Sequence, residues 1–115
     1  MIQTKRIYEP VSKEDGLRVL VMRLWPRGVK KNHIDVWYKE LGTELELIKA
    51  WKSGKIDWAG FKKKYLTYIH NKEYQSLIQE LAKRARKETI TLLCSCEDES
   101  HCHRTILKSE IEKQI

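Results

Sequence analysis

Two apolar runs in this chain lack the alternation of a half-exposed strand. Val19-Leu20-Val21-Met22 and the stretch Thr89–Cys96, with Ile90, Leu92, Leu93 and Cys94, read as strands buried on both faces, the pattern of a parallel sheet. The first run stops at Trp25-Pro26, because proline cannot donate to a strand ladder, and Gly28 permits the turn beyond it. A shorter apolar stretch around Lys5–Tyr8 ends at Pro10 and predicts another strand, followed by a turn at Ser12–Gly16. Between the strands the period changes to that of a helix. Ile34, Trp37, Tyr38 and Leu41 fall at i, i+3, i+4 and i+7 and predict one helical face, which Leu45, Ile48 and Trp51 continue after a break at Gly42. Asp57 is the expected N-cap of a further helix with Trp58, Phe61, Tyr65 and Tyr68 on its buried side. Leu77, Ile78, Leu81, Ala82 and Ala85 mark another, and a short helix from about His103 to Lys113 buries Ile106, Leu107 and Ile111.

Strands separated by helices predict an α/β fold: a single compact domain over residues 1–115, with a small parallel or mixed sheet flanked by helices. No repeat, low-complexity tract or linker divides it. The aromatic stripes sit at helical spacing opposite charged residues, which makes them core rather than a base-stacking surface. Ligands of such sheets gather beyond the carboxyl ends of the strands, so the residues following Met22 and Leu93 carry the functional expectation.

Composition narrows the setting. With 41% hydrophobic and 34% charged residues, the chain has enough apolar matter for a core and a heavily solvated surface. No stretch approaches the roughly 18 apolar residues of a membrane span, and Met1–Arg6 has no apolar signal core. The expected location is cytoplasmic. Lysine and arginine exceed acids by 23 to 16, a net charge of +7 that favours anionic partners, either an anionic small molecule or nucleic acid. Basic runs such as Lys62-Lys63-Lys64 lie on amphipathic helices, where a solvated face explains them, and no nucleic-acid module accompanies them.

The candidate chemistry sits at the two strand ends. In Arg23-Leu24-Trp25-Pro26-Arg27-Gly28, two arginines flank a rigid Trp-Pro unit, and a planar guanidinium suits bidentate binding of phosphate or carboxylate. The alternative is that Trp25 fills the core and both arginines form surface ion pairs. The segment Cys94–Arg104 holds all three cysteines, an odd and clustered set that is no disulfide framework. A thiol at a helix N-terminus beside His103 and Arg104 has a lowered pKa, and Cys102 is placed for this effect, with Cys94 facing it across the loop.

Three readings of that segment remain open. It is a thiol site with Cys102 and Cys94 as nucleophile or redox pair, His103 as acid/base, and Arg23, Arg27 and Arg104 holding an anion. It is a zinc module drawing on Cys94, Cys96, His101, Cys102 and His103, although the common C-x2-C spacing is absent. Or it is structural, with Cys94 a small hydrophobe and the rest a helix-capping loop. A phosphatase loop is excluded, because no cysteine precedes an arginine by the required spacing: Cys96 stands eight residues from Arg104 and Cys102 two.

These segments carry a resemblance. Arg23-Leu24-Trp25-Pro26-Arg27-Gly28, then Trp37, the Trp58/Phe61/Tyr65 helix, and Leu92-Leu93-Cys94 followed by Cys102-His103-Arg104 resemble the YeaO-like proteins, domain of unknown function 488. The resemblance spans nearly the whole chain. Met22 stands where the family commonly has Asp, and Cys96 where an acidic residue is common, which weakens any mechanism needing a carboxylate base. The resemblance implies a compact α/β domain that brings both strand-end motifs around one basic pocket. It names no reaction and no cofactor. The leading expectation is therefore an anion-binding pocket with a Cys-His-Arg elbow and thiol chemistry; the alternatives are a non-catalytic nucleic-acid-binding module and a zinc-binding module.

Overall fold

In the computed structural model, which describes residues 1–115, the strand β4 (Ile90–Cys94) is buried at every position. It lies between β1 (Ile2–Arg6) and β2 (Leu17–Leu20), parallel to both, with Ile2 opposite Ile90, Arg6 opposite Cys94, and Leu17 opposite Ile90. A two-residue strand β3 (Val36–Trp37) pairs in parallel outside β2, giving the order β1-β4-β2-β3. The sheet is thus wholly parallel. Its double burial explains the unbroken apolar runs: Val19, Ile90 and Leu92 enter the main core, while Leu20 and Leu93 pack with Ile7 on a smaller one.

The main core is closed by α1 (Leu45–Lys52), α2 (Trp58–Ile69), α3 (Lys72–Ala85) and α4 (His103–Glu112). The smaller core is covered by the segment after β2, through Met22, Trp25, Val29 and Ile34. Asp57 caps α2 as expected, its side chain accepting from the Gly60 N–H at 2.8 Å. Phe61 and Tyr65 face inward, with Trp58 and Tyr68 half-buried beside them.

Three local expectations differ from the structure. No α-helix forms over Ile34–Leu41; only a single 3-10 turn, Lys39–Leu41, is helical there. Val36 and Trp37 instead complete the free edge of β2, held by Asp35 N–H on the Arg18 carbonyl (2.9 Å) and Tyr38 N–H on the Leu20 carbonyl (2.9 Å). Trp37 is 39% exposed, so the helical spacing of the apolar residues there is coincidental. An unsatisfied strand edge outbids a short helix whenever β-branched Val and a Trp are on hand to cover it. The first strand lies at Ile2–Arg6 rather than Lys5–Tyr8, with Ile7 N–H still reaching the Cys94 carbonyl at 2.8 Å. The second strand starts earlier, at Leu17, and ends at Leu20.

Candidate functional site

The carboxyl end of β4 delivers Cys94 to the edge of the core, 2% exposed. The chain then loops out through a short turn at Glu99–His101, whose entry is fixed by Asp98: its carboxylate accepts from the Ser100 N–H at 3.0 Å and pairs with His101 Nδ1 at 2.6 Å. His101 stacks on Trp51, with ring centroids 6.0 Å apart. This anchorage folds the loop back, so that Cys102, the N-cap residue of α4, and His103 return beside Cys94. Arg6 holds the loop's first residue by donating Nε–H to the Ser95 carbonyl at 3.1 Å.

One ligand atom from each of Cys94, Cys96, Cys102 and His103 falls within 4.8 Å of the others. The Cys94 and Cys96 sulfurs are 3.5 Å apart, and the sulfurs of Cys94 and Cys102 each lie 3.9 Å from Nδ1 of His103. The opposite ring nitrogen, Nε2, meets the Val21 carbonyl at 2.5 Å. A carbonyl only accepts, so Nε2 carries the hydrogen and Nδ1 is left to present its lone pair to the sulfurs. The edge of the Tyr65 ring, at 5.5 Å, sets the other side of the imidazole.

Three thiols packed so closely share protons. Hydrogen bonding from Cys102 and then Cys96, with Arg104 adding a positive field, outweighs burial and holds the Cys94 sulfur far down in the thiolate range, while the same partnership pushes Cys102 upward. Of the two, Cys94 is the sulfur whose surroundings favour the thiolate. Tyr65 is pushed well above the ordinary phenol range by complete burial, so it stays neutral.

The four groups form the floor of a cavity of about 590 Å³. Its walls include Leu45, Ile48, Trp51 and Phe61 from the helical side, and Met22, Arg23 and Leu24 from the segment after β2. Both strand ends thus contribute to one cavity, but the arginines divide. Arg23 lines it, donating Nη2 to the Gly42 carbonyl (3.2 Å) and the Tyr68 hydroxyl (2.6 Å), with its guanidinium over the Tyr68 ring. Arg27 is exposed and outside the cavity. Arg104 is buried, spending Nη1 on the Cys96 carbonyl (2.9 Å) and the Cys102 sulfur (3.5 Å); it borders instead a second, polar cavity of about 440 Å³ with Lys5, Arg6 and several acids. Trp25 and Trp37 meet edge to face at 5.4 Å, a packing role for the Trp-Pro unit.

A family model described as the active DUF488-N3 subclade matches residues 2–115. The uncharacterized protein YeaO of Escherichia coli K12 is 40% identical over 108 residues, covering 92% of each chain. This chain belongs to the DUF488 family. A more distant relative, the uncharacterized protein Rv3073c of Mycobacterium tuberculosis H37Rv, is 25% identical over 108 residues, which is 92% of this chain and 89% of that one. No solved structure matches. No helix of this DUF488 chain is long and apolar enough to cross a membrane.

Sequence reasoning missed part of the cavity wall, above all Thr43, Trp51 and Phe61. Trp51 and Phe61 carry a core signature that says nothing of a cavity, and Thr43 sits in a loop with no motif.

Proposed function

We propose that the protein is a small-molecule-binding domain whose pocket floor is a soft metal centre of the zinc type, held by Cys94, Cys96, Cys102 and His103. The observation that carries this reading is the convergence of those four ligand atoms within 4.8 Å, with His103 Nε2 already committed to the Val21 carbonyl. A ligating imidazole nearly always donates its second N–H in this way, which fixes ring orientation and tautomer. Around zinc, with bonds of about 2.3 Å to sulfur and 2.0–2.1 Å to nitrogen, tetrahedral ligands stand roughly 3.5–3.8 Å apart. Three of the six separations, at 3.5, 3.9 and 3.9 Å, are within about 0.4 Å of that geometry, and the widest pair, within 4.8 Å, has about 1 Å to close. Thiolate and imidazole donors select zinc-type ions over magnesium or calcium. The irregular spacing does not oppose this, because the Asp98-capped turn, rather than a C-x2-C knuckle, closes the ligand set.

Elemental analysis of protein purified without chelators should give about one zinc per chain, and cobalt substitution should give thiolate-to-cobalt charge-transfer bands with tetrahedral ligand-field intensity. Stoichiometry near zero, with no uptake on reconstitution, overturns the metal reading. A second reading, favoured by the placement of Cys94 on the cavity floor beside His103, is thiol chemistry on a ligand held by Arg23. Limiting alkylation of chelator-treated protein separates the two. Metal-protected cysteines that react only after chelation support the centre; a Cys94 that reacts faster than a free model thiol, with no metal bound, supports the thiol. Both readings make the partner a small molecule, since the cavity is concave, partly apolar, and within the size range of small-molecule sites.

A further inference from the structure

The three sulfurs of the cluster differ in what can reach them. Cys94 is 2% exposed and Cys102 1%, whereas Cys96 is half-buried and lies in the loop beyond β4. Both sulfur contacts to His103 are fully enclosed, but the Cys94–Cys96 pair, at 3.5 Å, is only partly so. The cavity that Cys96 lines, about 590 Å³, admits small solutes to that side of the cluster. An accessible thiol with a second thiol at its side is the arrangement of a cysteine that is oxidised and then resolved. Cys102 is worse placed for either role. It is the N-cap residue of α4, and its sulfur receives Arg104 Nη1 at 3.5 Å.

We infer that Cys96 is a reversible oxidation site for hydrogen peroxide, resolved by Cys94 as a Cys94–Cys96 disulfide. The Cys96 thiolate attacks one peroxide oxygen and breaks the O–O bond. The other oxygen leaves as water with the proton the thiol gave up, and Cys96 becomes a sulfenic acid. The Cys94 sulfur then attacks the Cys96 sulfur and expels hydroxide, which leaves with the Cys94 proton as a second water. In sum, two thiols give two electrons to one peroxide. The sulfurs must close by about 1.5 Å to reach a disulfide bond of about 2.05 Å. Residues two apart in sequence reach at most about 7 Å between Cα atoms, just above the roughly 4.4–6.8 Å of bridged cysteines. A bend at Ser95 therefore suffices, and Ser95 already lies outside strand and helix. The small ring is strained, which makes the bond easy to reduce again. Where the cluster holds zinc, the disulfide leaves only Cys102 and His103, fewer ligands than even an open zinc site has, so oxidation releases the ion. That release rests on the metal reading; the disulfide does not.

The test exposes the full chain, reduced and freed of metal by chelator, to an equimolar amount of hydrogen peroxide at neutral pH. Free thiols are then blocked with iodoacetamide, disulfides are reduced, and the thiols so released are labelled with N-ethylmaleimide. Trypsin frees all three cysteines on the peptide 88–104, and fragmentation in the mass spectrometer assigns each label. Cys94 and Cys96 should carry maleimide and Cys102 acetamide, and dithiothreitol given before blocking should return all three to acetamide. Cys96→Ser should abolish maleimide at Cys94, while Cys102→Ser should leave both maleimides in place; melting curves verify that each variant is folded. Maleimide on Cys102 of the wild type, links between chains in place of the internal disulfide, or no maleimide at all overturns the inference. Zinc-loaded protein treated alike should release its ion to an indicator dye in step with the disulfide, and zinc retained beside the disulfide overturns the release. A disulfide in protein that never binds zinc defeats the metal centre and leaves this inference standing. Zinc binding without a disulfide in the chelator-treated protein does the reverse.

Discussion

Replacing Asp15 by Asn removes one charge and almost no volume. The carboxylate is 5% exposed and receives Lys5 Nζ at 3.0 and 3.2 Å, the Ser12 N–H at 3.0 Å, and Nη1 of Arg18. Arg18 is equally buried. Its Nε reaches the His33 carbonyl at 2.7 Å, but its Nη2 has no partner, so Asp15 is the only charge that compensates the guanidinium directly. An amide there keeps one acceptor and turns two donors toward cations, leaving a buried positive charge unneutralised. Breaking a buried pair from one side costs about 3–5 kcal/mol. For 115 residues, at about 2.1 cal/mol/K per residue, the unfolding entropy is about 0.24 kcal/mol/K, so Tm should fall by about 12–20 °C.

The same substitution has a pH signature. Burial raises the Asp15 carboxyl, but hydrogen bonds from the Ser12 backbone, Lys5 and Arg18 outweigh it and hold the group below the ordinary carboxylate value. A carboxyl with a depressed native pKa stabilises the fold above its unfolded pKa of about 3.9, and that contribution fades as pH falls through the lower native value. The Tm gap between wild type and Asp15→Asn should be full at about pH 5–7 and narrow below about pH 4. Circular-dichroism melts across that range measure it. A loss under about 4 °C at neutral pH, or a gap that fails to close in acid, refutes the assignment of stability to this ion pair.

Two further outcomes follow. Tyr65→Phe strands the Leu41 carbonyl, which now accepts the buried hydroxyl at 2.6 Å, and should cost about 1–3 kcal/mol, or about 4–12 °C in Tm; an unshifted melt contradicts it. Chelation should lower Tm by about 11 °C from a state holding free zinc at about 100 times Kd, since saturation at that level contributes about 2.7 kcal/mol. A melt indifferent to chelator would mean that these four residues do not hold an ion.

The position of the Cys/His cluster at the end of β4 was readable because burial leaves its mark on sequence. A strand covered on both faces shows no alternation, so Leu92, Leu93 and Cys94 announce a parallel strand, and a polar loop with thiols at its end announces where ligands collect. The helix around Asp57 was readable because an N-cap is local chemistry. Residues 34–41 misled because the competing partner, the open edge of β2, is distant in sequence, and periodicity holds no information about it. The arginines show the same limit. Arg23, Arg27 and Arg104 are equivalent as charges at strand ends, yet one lines the cavity, one is left in solvent, and one is spent on a carbonyl and a sulfur. Thr43 lay beyond any sequence pattern, because it is a loop residue buried only by the tertiary fold.

If these residues hold zinc, whether the ion only braces the pocket or also acts on a ligand turns on Cys96. Four protein ligands close a zinc ion and make it structural; three with an open position make it a Lewis acid. Cys94 and Cys102 are anchored at the end of β4 and the start of α4, and His103 is fixed at both ring nitrogens. Cys96 alone belongs to the loop, is half-buried, and lines the cavity. Of the four candidate ligands it is the one least constrained by the fold. Its departure would leave two thiolates and an imidazole around an ion facing the cavity. Closed and open forms of such a centre would thus differ by one loop residue.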